Sequence, residues 1–81
     1  METAYVLVKS QVAHEMDVMG NLLKIDNVKE ARGTFGVYDI FVKVEANTSK
    51  ELEDTITKNI RKVKHVISTT TLSVMPEQDK Q

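Results

Sequence analysis

Between Gly33 and Val44 the chain reads GTFGVYDIFVKV: two of its three glycines, an acidic residue, then a run rich in strand formers. Few local folds accept that order. Glycine permits positive φ, and a short glycine-containing loop ahead of a β-branched and aromatic run predicts a β-hairpin. Tyr38 to Glu45 (YDIFVKVE) is its second strand, Val28 to Thr34 (VKEARGT) its first, and Phe35 to Val37 turn around Gly36. Asp39 stands where loop becomes strand. As a turn residue it would bond backbone amides; as a ligand contact it would hold a cation. The residues alone leave both readings open.

The rest of the chain arranges itself around this hairpin. Ala4 to Lys9 (AYVLVK) reads as a strand, and His14 to Lys24 as a helix with Val18, Leu22 and Ile25 at helical spacing. Gly20 inside that helix is expected to let it sit close to a sheet. Thr48, with Glu51 three residues later, has the spacing of a capping box, and Ser49 is the alternative cap. Leu52, Ile56, Ile60 and Val63 form the apolar stripe of the second helix, and Asp54 precedes Lys58 by one turn as an ion pair. His65 to Met75 is a threonine-rich last strand ended by Pro76. The domain is placed at residues 1–76, with 77–81 a polar tail. The order β-α-β-β-α-β is the split βαβ, or ferredoxin-like, arrangement. It predicts an α+β fold: one four-stranded antiparallel sheet with both helices on one face.

Such a sheet leaves its other face open. If Ile40, Val42 and Val44 face the helices, alternation turns Phe41 outward, and Tyr5 and Leu7 turn out beside Val6 and Val8. An exposed patch of Tyr5, Leu7 and Phe41 marks an interface, so a homodimer formed by stacking open sheet faces into a barrel-like pair is expected. Size points the same way. A domain of 81 residues buries only about 60% of its extended-chain surface, and without cysteine no disulfide or thiolate metal site supports the core.

Eleven Lys and Arg against twelve Asp and Glu leave a net charge of −1, without the basic excess of a nucleic-acid binder. The one basic cluster, Arg61 to His65, falls at a predicted helix end, where cations complement the dipole. The N-terminus lacks a signal-peptide pattern and no apolar run is long enough to span a bilayer, so the cytoplasm is the default compartment. His14 and His65 lie at separate element ends with capping or surface roles, Gly33 and Gly36 do not make a phosphate loop, and no metal, cofactor or catalytic constellation can be assembled. The chain therefore does not read as an enzyme.

The segment Thr34 to Val44, with Val66 to Thr71 (VISTTT) and Ala4 to Lys9, resembles the C-terminal effector domain of Lrp/AsnC regulators, also called RAM. The resemblance implies a stand-alone effector domain, without a DNA-binding domain of its own, acting in regulation of transcription or amino-acid metabolism. It implies dimers that pair through their sheets and assemble further, to octamers, with a small effector, typically an amino acid, bound at interfaces between dimers. Carried over, Gly36, Val37, Tyr38 and Asp39 would frame the effector, with Asp39 near its ammonium, and Thr69 and Thr71 would offer hydroxyls. Asn27 and His65 stand where the family often has glycine. The alternative is an interaction module that binds no ligand and pairs with full-length Lrp/AsnC regulators; a small ferredoxin-like enzyme ranks below both.

Overall fold

In the computed structural model, which describes residues 1–74, the elements are β1 (Glu2–Ser10), α1 (Glu15–Leu23), β2 (Val28–Gly33), β3 (Ile40–Ala46), α2 (Ser49–Asp54) and β4 (Val66–Ser73), with a π-helical turn (Thr55–Ile60) continuing α2. The strands form one antiparallel sheet in the order β2-β3-β1-β4, so the two central strands are β3 and β1. This is the expected βαββαβ arrangement. The last strand ends at Ser73; Met75, to which the sequence extended it, its proline stop and the 77–81 tail lie outside the described residues.

Alternation along the central strands sorts their side chains. Ala4, Val6 and Val8 of β1 and Ile40, Val42 and Val44 of β3 are buried against Val18 and Leu22 of α1 and Ile56 and Ile60 of the second helix. Their neighbours Tyr5, Leu7 and Phe41 are half-buried on the opposite face, where the rings of Tyr5 and Phe41 stack with centroids 5.2 Å apart. Leu72 of β4, directly across from Tyr5, adds to that face and is 48% exposed.

The second helix starts as its sequence predicts. Thr48 Oγ1 accepts from the Glu51 amide at 3.1 Å, a cap that contributes about 1 kcal/mol. The Glu51 carboxylate accepts from the Asn47 amide, one residue earlier than a full capping box would have it, and from Asn27 Nδ2. Asp54 pairs with Lys58, as the spacing indicated, and also with Lys50. The helix then widens, which the apolar stripe does not foretell. Thr55 Oγ1 donates to the Glu51 carbonyl and Thr57 Oγ1 to the Glu53 carbonyl, each at 2.9 Å. Hydroxyls that bond back to the i−4 carbonyl loosen the helical ladder. The Arg61 amide correspondingly donates to Ile56, five residues back, at 3.0 Å.

The glycines behave differently from expectation at one point. A side chain at Gly20 would meet open space, so this glycine does not serve a close helix–sheet approach; it lies on the exposed face of α1. Of the two places where Asn27 and His65 replace glycine, only His65 is left-handed, at φ 75°; Ala13 shares that region at φ 74°. Asn27 instead uses its side chain, donating to the Glu45 carbonyl at 2.9 Å.

Candidate functional site

The hairpin is built around Asp39. Its amide donates to the Val8 carbonyl and its carbonyl accepts from the Thr34 amide, both at 2.9 Å, closing the hairpin base against the end of β1. Its carboxylate Oδ2 accepts from the Ser10 amide at 2.9 Å. Ser10 is where the β1–β4 register shifts, so the amide left over by that bulge is satisfied by the acidic side chain. Thr34 Oγ1 donates to the Tyr38 carbonyl and Lys9 Nζ to the Val37 carbonyl, fixing the loop from both sides. Gly36 takes φ 110° at the tip, a region most side chains avoid. The flanking Phe35 is fully exposed and Val37 is 73% exposed.

Between this hairpin and the first turns of α1 lies an open recess of about 390 Å³, lined by Glu15, Met16, Met19, Gly33, Thr34, Phe35, Asp39 and Ile40. It carries two carboxylates and no Lys, Arg or His, so it suits a cationic group joined to an apolar body. Of the residues carried over from the family resemblance, only Asp39 lines it. Tyr38 crosses the open sheet face, its hydroxyl 2.7 Å from Thr70 Oγ1 on β4. Thr69 and Thr71 pair with Val8 and Val6 and therefore share the helix face, where Thr71 borders a separate groove beside the second helix. Glu15, Met16 and Met19 escaped the sequence reading. The one signal in the sequence is that Met16 falls outside the Val18–Leu22 stripe; the fold leaves it 80% exposed.

The two histidines, treated separately in the sequence, are brought together. Their rings stack with centroids 3.7 Å apart and planes 15° off parallel, joining the β1–α1 connection to the start of β4. His65 Nδ1 lies 2.7 Å from Gln11 Oε1, and the Gln11 amide donates to the His65 carbonyl at 2.8 Å. Burial, and then the neighbouring His14 and Lys64, hold the His65 pKa below the ordinary histidine value, against an opposing pull from Asp17. On the sheet edge, Glu30 is lowered and Arg32 raised by their mutual hydrogen bond and charge. Among the described residues, no group of three or more His, Cys, Asp or Glu is placed to hold a metal ion, and no helix is long and apolar enough to cross a membrane.

The fold is that of a small ferredoxin-like α+β module, and the comparisons give its family. Residues 3–80 match the family model of the Lrp/AsnC ligand binding domain, so the chain belongs to that family. It is thus a regulatory ligand-binding domain of the kind found in transcription regulators, and not an enzyme. Among solved structures it is similar to FFRP-DM1, at 40% identity over 93% of this chain and 100% of that one, with a TM-score of 0.88. It is also similar to the protein PHS023 of Pyrococcus horikoshii, at 40% identity over 96% of this chain and 94% of that one, TM-score 0.86. A more distant likeness, of fold alone, is to the transcriptional regulator NMB0573 of Neisseria meningitidis in its complex with L-Met. There identity is 14%, coverage 98% of this chain and 53% of that one, and the TM-score 0.83. No curated protein sequence matches the chain.

Proposed function

We propose that the chain senses a small amino acid at the hairpin recess and passes that state on through its assembly, in the regulation of transcription or amino-acid metabolism. The observation that carries this reading is the recess itself, in which Asp39 and Glu15 share the lining with Met16, Met19, Phe35 and Ile40. An ammonium would bond to Asp39 and the side chain would lie against the methionines. A complex with L-Met is known for NMB0573, a regulator of the same fold. Gly36 and Val37 would close the loop over the ligand. Tyr38, Thr69 and Thr71 do not reach the recess within one protomer, so their part in it would require a neighbouring copy.

Assembly would begin with two open sheet faces stacking through Tyr5, Leu7 and Phe41, with Leu72 at the margin. Phe35 and Val37, both exposed, would then lie at the rim of that dimer and could meet another dimer in an octamer. The same sheet face would allow pairing with full-length Lrp/AsnC regulators, which would carry the effector signal to DNA. Sedimentation should find a dimer or larger at micromolar concentration; a monomer there overturns the assembly.

Calorimetry against the amino acids tests the sensing role. Binding of at least one neutral apolar amino acid is expected, lost in Asp39→Asn with sedimentation unchanged. The competing reading is an assembly module without a ligand, and it draws on the Ser10 amide already bound to the same carboxylate. Silence of all twenty amino acids, with an intact oligomer, would favour it.

A further inference from the structure

A groove larger than the hairpin recess lies elsewhere among the described residues. It runs between the second helix and β4, on the helix face of the sheet, and encloses about 560 Å³. From its position and chemistry we infer a second binding site, for a small aliphatic carboxylate, centred on Arg61. This site is separate from the hairpin recess and does not depend on the reading given to it.

Arg61 is the only cation among the lining residues. Its Nε donates to Thr69 Oγ1 at 3.1 Å, which fixes the plane of the guanidinium. The terminal nitrogens take no hydrogen-bond partner among the described residues, so the fork that matches a carboxylate is presented ready to use. The π-helical turn places it there. Residues five apart on an α-helix point about 140° from each other. Here the Arg61 amide bonds to the Ile56 carbonyl, and both side chains border the same groove. Single π-turns are rare and recur at functional sites.

The remaining walls specify the ligand. Ala4, Leu52 and Ile56 supply apolar lining, and hydroxyls come from Thr57 on the helix wall and from Thr71 and Ser73 on the β4 wall. Glu2 and Glu53 also line the groove. They do not neutralise the Arg61 end. Glu2 lies beyond Ser73, which is four strand residues, or about 13 Å, from the Thr69 that anchors Arg61. Glu53 precedes Arg61 by two helical turns. A carboxylate on Arg61, an oxo, hydroxy or amino group on the hydroxyls and an aliphatic tail on Leu52 and Ile56 would use every feature. Inorganic phosphate would leave the apolar lining bare.

The probe is 4-methyl-2-oxopentanoate, titrated into the full-length isotope-labelled protein and followed by amide chemical shifts, with inorganic phosphate as comparison. Saturable shifts are expected at Thr57, Arg61 and Thr69 to Ser73, with no response to phosphate. Arg61→Gln should weaken binding by at least about tenfold, Arg61→Lys by less because the charge is kept without the fork, and Gly20→Ala, on the exposed face of α1, should leave it unchanged. Shifts confined to Gly36–Asp39, equal shifts with phosphate, indifference to Arg61→Gln, or no saturable shift at millimolar probe would each overturn the site.

Discussion

β3 and β4 both pair with β1, yet they are built for different surroundings. β3 (IFVKVEA) is flanked by strands on both edges and its inward residues are fully buried or nearly so. β4 (VISTTTLS) has one free edge, and every residue along it is half-buried or exposed. Threonine is what lets the second strand exist. Its branched Cβ suits the extended backbone, while its hydroxyl tolerates water that a valine would exclude. A small sheet can thus keep a wet edge in register without a core beneath it, and that edge is free for other uses.

Mutation should split the two strands sharply. Ile40→Ala in β3 removes a fully buried side chain and is expected to cost about 2–5 kcal/mol by chemical denaturation. Asp39→Ala, one residue ahead of the same strand, strips the Ser10 amide of its acceptor inside a 4%-exposed residue, for a loss of about 1–3 kcal/mol. Gly20→Ala touches neither strand and meets open space on α1, so it should stabilise by about 1 kcal/mol; a loss would mean that something packs there in the assembly. Ser68→Ala, exposed on β4, should stay within about 0.5 kcal/mol, and a large effect there would erase the contrast.

Acid probes the histidine contact that precedes β4. The lowered His65 pKa means that the unfolded chain takes up this proton more readily than the native one. The stability from neutral His65 is therefore present above the ordinary histidine pKa of about 6.5 and lost as pH falls through the lowered native value. Denaturation midpoints should drop on acidification in the parent protein and drop less in His65→Asn, which tolerates the left-handed backbone without the imidazole.

The strands, both helices and the outward turn of Tyr5, Leu7 and Phe41 were legible because alternation and helical spacing are local signals. The π-turn was not, since hydroxyls bonding back along the helix leave the apolar stripe Leu52–Ile56–Ile60–Val63 intact in the sequence. The histidine pair was hidden by a separation of 51 residues that only the fold closes. Asp39 was legible as a turn residue and family marker, but its partner Ser10 depends on a bulge in a different strand. Thr69 and Thr71 were correctly placed on a strand. Which face they take follows from the β1 register, and that register separates them from Asp39 in a single protomer.

The bond between Asp39 and the Ser10 amide has a thermodynamic consequence for any effector. An incoming ammonium that claims Oδ2 exchanges one hydrogen bond for another, so its affinity reports a difference and is modest even when the contact itself is strong. What the exchange releases is the Ser10 amide, three residues from the left-handed Ala13 and paired across to Val66. Occupancy at the hairpin would then be readable without any assembly change, as faster solvent exchange of a single backbone proton at the far end of β1.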